Sequence, residues 1–523
     1  MNLAERTLYI TKLETRGEMT RRYKNSRNSR QANDIRQLPW RDIVNTYAPM
    51  EILDAEQIEQ IHQSSLTLLQ NYGMHIMHAG ARTMLAGAGA DVDHDTGMVR
   101  FDRNLVMEKV AMAPASTTLH ARNPAKNFVL GGNHLAFTSV GGPAYCSDLD
   151  QGRRRGSFED VCNYLKLVQS LDIIHQEGGG PFETLELPAE TRHLDLCHAQ
   201  IRLLDKNWQP NALGRERARD AIRMAAISMA VSVEELAAKP ALFAIINTNS
   251  PLQLDTQMAE GLIEMSAAGQ VVCITPFTLA GAMAPVTLAG TLTQQNAEIL
   301  AGVTLAQVVR PGAPVVYGAF SSNVDMRSGS PAFGTPEYAR AAQASGQLAR
   351  RYKLPFRSSN VTSSNVLDAQ STYESAMSLW AAVGGHANII VHAAGWLEGG
   401  LTASFEKLIV DAEMLQMMSE YLKPIEVNDE TIALETIIET GAGGHFFGTE
   451  QTISQFKTAF YQPMLTRQSN FENWQEAGSE NANVRANRVW KQLLRDYQQP
   501  DMDPAIDEEL TAYVAKRKEA LGR

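Results

Sequence analysis

From His134 onward the chain repeats one rhythm. A short apolar run gives way to a polar or Gly-rich loop, and then to a stretch with apolar residues three and four apart. Eight of the short runs predict strands: Leu135–Val140, Ile173–Gln176, Asn207–Leu213, Leu242–Ile246, Val271–Thr275, Pro314–Tyr317, Leu354–Ser358 and Asn388–His392. Helical patterns fall between them at Phe158–Ser170, Glu190–Leu204, Glu216–Ala230, Leu254–Ala268, Gln294–Val309, Glu337–Tyr352 and Gln370–Val383. Strict alternation of this kind means parallel strands, because each parallel pair needs a crossover helix. Eight such units predict a closed TIM (β/α)8 barrel rather than an open doubly wound sheet.

The flanks read differently. Residues 1–48 form a polar arm with Arg21, Arg22, Lys24, Arg27 and Arg30 close together; Pro39-Trp40 predicts that part of it docks. Residues 49–130 predict an accessory α/β region. There Asp54 and Gln57 make a capping-box start, Ile58, Ile61, Leu68 and Leu69 share a helix face, and Gly73 supplies a stop. The barrel is expected over 131–405 and a helical C-terminal extension over 406–523, opening with an amphipathic helix from Glu406 to Leu422 that Pro424 ends.

Composition narrows the function. The 523 residues carry a net charge of -11, which argues against nucleic acid as the main partner. Cys146, Cys162, Cys197 and Cys273 have no framework spacing and fit a reducing cytoplasm. No signal peptide and no long apolar span are evident, so a soluble cytoplasmic protein is expected. His193, Cys197 and His198 fall at helical spacing, but no second cluster completes a zinc set, and no metal is expected.

In a barrel the chemistry sits where strands end and loops begin. Those loops hold Gly141–Tyr145, Glu177–Gly180, Asn247–Pro251, Thr275–Phe277, Tyr317–Phe320, Thr362–Gln370, and His392 with Trp396. Tyr145, Phe277, Tyr317, Phe320, Tyr373 and Trp396 recur there with few unpaired charges, which suits an organic cation held by ring faces. Asn249, Ser250, Thr275 and Gln370 can hydrogen-bond a carboxylate. His392, ending the eighth strand, offers a neutral imidazole.

Several of these motifs together resemble the trimethylamine:corrinoid methyltransferase superfamily, in its branch without pyrrolysine. They are Gly141-Gly142-Pro143 with Asp148, Ala284–Gly290, Asp368-Ala369-Gln370 with Tyr373-Glu374, Ala393–Glu398, and Gly443-Gly444-His445-Phe446. The resemblance implies transfer of a methyl group from an amine to the cobalt of cobalamin carried by a separate corrinoid protein, and a homo-oligomer is expected. Where the methanogen enzymes carry pyrrolysine, this chain has Thr362, Ser363, Ser364 and Asn365, none of which forms an imine. That departure points to quaternary amines such as glycine betaine, carnitine or proline betaine, whose nitrogen leaves neutral without a general acid. On this reading His392 and Gln370 are the catalytic candidates. Tyr145, Asn249, Phe277, Tyr317, Phe320 and Trp396 bind substrate; Thr362, Asn365, Asp368, Gly444 and His445 meet the corrinoid. A TIM-barrel lyase or hydrolase acting on a betaine-like substrate, or a non-catalytic cation-binding protein, stays open beside it.

Overall fold

The computed structural model describes residues 35–522. At its centre stand eight parallel strands in sequence order: β1 His134–Ser139, β2 Gln176–Glu177, β3 Asn207–Trp208, β4 Phe243–Thr248, β5 Val271–Pro276, β6 Val315–Gly318, β7 Phe356–Ser359 and β8 Ile389–Ala394. β8 pairs with β1, and a parallel bridge from Trp208 to Leu242 joins β3 to β4, so the ring closes. Eight helices alternate with the strands: α1 Phe158–Ser170, α2 Arg192–Leu203, α3 Arg215–Ser228, α4 Thr256–Ala267, α5 Leu288–Val309, α6 Pro336–Tyr352, α7 Ala369–Gly384 and α8 Phe405–Tyr421. The expected barrel is the observed one.

The largest departures among the strands lie at β2 and β3. The second run meets its strand only at Gln176, and the third shrinks to Asn207–Trp208. Pro210, which lacks an N–H, cannot continue a ladder. α5 starts six residues before the expected Gln294, because Thr287 caps it by accepting from the Gly290 N–H.

Side chains alternate across the strands. Ala136, Phe243, Val271, Cys273, Val316, Ile389 and Val391 face the barrel interior in one apolar cluster. Closing that cluster from below are Leu119, Phe128 and Leu130 of an antiparallel hairpin, Ser116–Leu119 with Phe128–Gly131. This hairpin plugs the end where the strands begin. Trp40 packs on the same floor, its ring 5.6 Å from His175, and Ile43–Val44 adds an antiparallel partner to β1. The basic cluster at Arg21–Arg30 lies outside the described residues.

A further helical layer jackets much of the barrel. Ala55–Asn71, with the expected Asp54–Gln57 capping box, and Arg103–Met112 lie on α5. Ala482–Asp496 covers α8 and α1, and Pro504–Leu521 covers α2 and α3. Since α8 packs directly on β8, we propose that the barrel unit runs through Tyr421 and that the C-terminal region begins after it. Among the described residues no helix is long and apolar enough to cross a membrane.

Candidate active site

The strand register decides which side chains meet at the mouth. Parallel partners face the same side, so Thr138 with Gln176, Asn247 with Thr275, Gly318 with Arg357, and Ser359 with Val391 all point inward. A Cβ at Gly318 would collide with Thr275 Oγ1, so only glycine fits in that layer. Above lie the loops. Phe277 follows β5, Phe320 and Phe333 follow β6, and His392 and Trp396 come from β8 and its loop.

Five rings form one continuous assembly. Phe320 stands 5.2 Å from Phe277, 5.6 Å from Phe333, 6.2 Å from Trp396 and 6.2 Å from His392, measured between ring centroids. Trp396 closes the set at 5.9 Å from Phe333 and 4.5 Å from His392. Its indole N–H donates to Thr362 O at 3.1 Å, tying the eighth loop to the seventh.

Below this shelf is the cation that sequence reasoning missed. Arg357, on β7, is 1 % exposed, and its guanidinium carbon lies 4.9 Å from the Phe320 centroid. Nη1 donates to Ala319 O at 2.9 Å; Nε has no hydrogen-bond partner and the group no ion pair among the described residues. Burial pushes its pKa down. A desolvated charge without a counter-ion is costly, and an incoming anion would relieve that cost.

His392 sits beside it in a left-handed backbone conformation, φ 56°, where the pairing of β8 with β1 slips its register. A non-Gly residue held there stores strain of the kind found at functional sites. Burial, then the positive charge of Arg357, holds its pKa well below the usual value, so the imidazole is neutral. Its Nδ1 has no hydrogen-bond partner among the described residues. Neither has the side-chain amide of Gln176, deeper in the barrel.

The loop after β7 is built around a carboxylate. Glu374, one turn into α7, accepts from Thr362 Oγ1, from Ser363 N at 2.9 Å, Ser364 N at 3.2 Å and Gln370 Nε2 at 2.9 Å. Asp368 caps α7 by accepting from Ser371 N and also from Ser364 Oγ. Thr362, Gln370 and Asp368 are therefore engaged in shaping the loop, and Asn365 is exposed on it.

Of the sequence-predicted residues, the structure brings Phe277, Phe320, Trp396 and His392 together. Thr362 reaches them through its backbone carbonyl, which accepts from the Trp396 indole, and the rest are not brought to them. Tyr317 points outward from β6; its hydroxyl donates to Asn296 of α5 and its ring stacks on Tyr352. The ring of Tyr145 is taken by the chain's own guanidinium groups, Arg153 at 3.5 Å and Arg155 at 4.3 Å. Asn249 accepts from Asp255 N, Ser250 donates to the buried Glu298, and it is Asn247 whose register aims it into the barrel. Gly444 and His445 are exposed on a segment that leaves the far end of α8. Helices run antiparallel to the strands, so that end is the floor, not the mouth. His193 pairs through Nε2 with Asp220 at 2.9 Å.

Residues 19–522 match the family described as Trimethylamine methyltransferase (MTTB). The chain belongs to that family. Among its relatives in it, a glycine betaine methyltransferase of Desulfitobacterium hafniense is 37% identical over 90% of this chain and 98% of its own. A trimethylamine methyltransferase MttB of the same species is 28% identical over 89% of this chain and 94% of its own. The MttB of Methanosarcina barkeri is 28% identical over 90% and 96%. The crystal structure of the Methanosarcina barkeri monomethylamine methyltransferase, MtmB, covers 87% of this chain and 90% of its own at TM-score 0.48 and 10% identity.

Proposed function

We propose that this family member moves a methyl group from a betaine, a quaternary amine that carries a carboxylate, to cobalamin held by a separate corrinoid protein. The observation that carries this reading is the pairing of an aromatic shelf with a buried guanidinium that has no counter-ion among the described residues. Ring faces favour a quaternary ammonium, by roughly 0.5–2 kcal/mol per contact. A planar guanidinium favours a carboxylate, which it can grip in two parallel hydrogen bonds. A zwitterion satisfies both. Trimethylamine and choline have no anion for Arg357, and each would leave that cation unpaired.

In this reading Phe277, Phe320, Phe333 and Trp396 hold the ammonium, Arg357 fixes the carboxylate, and the strained His392 presents a neutral nitrogen between them. Water is excluded by the shelf, and the methyl is aimed by two-point attachment. When bound, the reduced corrinoid supplies the strong nucleophile that takes the methyl; the protein supplies orientation and desolvation. The residues expected to hold the corrinoid form no cradle: Thr362 and Asp368 are engaged within their loop, Asn365 is exposed, and Gly444 and His445 lie on a segment from the floor end. This supports a cofactor presented by a partner at the mouth rather than one resident in this chain. Four cysteines without disulfides support work in a reducing cytoplasm.

The test is anaerobic mixing with reduced cobalamin and a panel of glycine betaine, carnitine, choline and trimethylamine, read by the absorbance change on cobalt methylation. Betaines are expected to react, and choline and trimethylamine not to. Equal rates with choline and glycine betaine would remove the carboxylate from the reading.

A further inference from the structure

The barrel interior holds a second polar group that the fold leaves unmatched. Gln176 pairs in the ladder with Thr138, which faces inward two residues above Ala136 of the interior cluster. Partners in a parallel ladder share a face, so the Gln176 side chain enters the barrel. It is 0 % exposed, and neither Oε1 nor Nε2 has a hydrogen-bond partner among the described residues. No other side-chain amide among those residues is buried with both ends unpaired. Gln270, equally buried, shows the contrary case. Its Oε1 accepts from Ala241 N and Leu242 N, and its Nε2 donates to Leu236 O and Ala268 O.

The neighbours of Gln176 direct their hydrogens elsewhere. Thr138 Oγ1 donates to Ser139 O, and Asn207, the ladder partner on β3, donates to His120 O and Ala241 O. Asn247, an inward amide on β4, is exposed to water. Three strands round the ring from β2 stands β7, which carries Arg357 with its unpaired Nε. The interior of an eight-stranded barrel is just wide enough for side chains to fill it or for one small ligand. Long side chains entering from β2 and β7 approach each other across that space, and a ligand gripped by one lies within reach of the other.

An amide buried with both ends unpaired is matched by a ligand that offers an acceptor and a donor together. A carboxylate only accepts. It would satisfy Nε2 and leave Oε1 facing negative charge. A hydroxyl near the carboxylate supplies the missing donor.

We propose that Gln176 sets specificity among betaines. Its Nε2 donates to the carboxylate that Arg357 holds, and its Oε1 accepts from a hydroxyl on the carbon chain between carboxylate and ammonium. The preferred substrate is a hydroxylated betaine. This rests on the betaine reading of the same site and adds a third point of attachment to it.

Carnitine and γ-butyrobetaine, which differ only by such a hydroxyl, test it in the cobalamin methylation assay. In the wild type, kcat/KM for carnitine is expected to exceed that for γ-butyrobetaine about tenfold, the effect of leaving one buried acceptor unpaired. Gln176→Met keeps the length of the side chain and loses both polar ends, so it should bring the two substrates level. Its urea midpoint should match or exceed the wild-type value, because an unpaired buried amide has been removed. Equal kcat/KM for the two substrates in the wild type would overturn the proposal, and so would a tenfold preference that survives in Gln176→Met. A marked fall in the variant's midpoint would overturn it too, by showing that the amide serves the fold. Silence with carnitine, γ-butyrobetaine and glycine betaine alike would remove the betaine reading and this inference with it, whereas reaction with all three and no preference for the hydroxyl would remove this inference alone.

Discussion

Lys407 and Arg357 are both fully buried cations, and they differ in what meets the charge. Lys407, on α8, donates to Asp411 of its own helix and to Ser375 Oγ at 2.8 Å; Asp411 in turn accepts from Gly395 N at 2.9 Å and so fixes the eighth loop. Arg357, on β7, has one carbonyl and an aromatic face. The first charge is neutralised inside the fold. The second waits for a counter-ion from outside. A complete network marks a structural site, and an incomplete one, inside the barrel beneath the aromatic shelf, is what supports the binding role proposed for Arg357.

Breaking this contrast gives a graded series. Lys407→Met leaves Asp411, whose pKa burial already raises, without its counter-charge. It is expected to cost about 3–5 kcal/mol of stability, seen as a large fall in urea midpoint. Arg357→Met should do the opposite, leaving the midpoint unchanged or higher while kcat/KM for glycine betaine falls roughly 100- to 1,000-fold, the effect of losing one partner of a buried charge pair. A lower midpoint in Arg357→Met together with full activity would reverse the two assignments.

Glu177 sharpens the comparison from the acidic side. It is buried at the end of β2, accepting from Gly179 N, Gly180 N and Gln200 Nε2, and burial pushes its pKa up from 4.5 to about 7. Between those values the folded state keeps a proton that the unfolded state has released. Stability therefore falls as pH rises through that window, by about 1.4 kcal/mol per unit. Glu177→Gln should be flatter than the wild type in urea unfolding between about pH 5 and about pH 7. Smaller effects come from the ring residues. Phe320→Ala is expected to raise KM for glycine betaine about tenfold, a loss of about 1–2 kcal/mol. Tyr317→Phe removes the bond to Asn296, about 1 kcal/mol of stability, and should leave substrate preference untouched in the methylation assay.

The sequence showed the barrel because its evidence is periodic: eight apolar runs and the helical patterns between them repeat in order, and each repeat supports the next. Faces were harder to read. Tyr317 and Gly318 are neighbours, and a step of one residue along a strand exchanges the interior for the helix layer. Both faces of a barrel strand are buried, so no polar alternation marks which side is which. The same ambiguity hid Arg357, which lies within its strand rather than in the loop beyond. Phe333 escaped because loop 6 continues past Phe320 through the short pairing of Ser322–Val324 with Pro331–Ala332, bringing a distant ring back to the shelf. Phe277, Phe320 and Trp396 were legible since each lies just past its strand, and His392 because it is the one polar residue in the apolar run of β8.

The hairpin beneath the barrel has a kinetic consequence. With Leu119, Phe128 and Leu130 sealing one end, the tube has a single doorway, and everything that reaches Arg357 must pass through it. On the function proposed above, the corrinoid protein seats over that doorway and shuts it. The amine must therefore enter before the methyl acceptor docks, and its demethylated product can leave only after the acceptor has lifted away. Turnover then follows a compulsory queue, in which excess acceptor slows the enzyme by blocking an empty site.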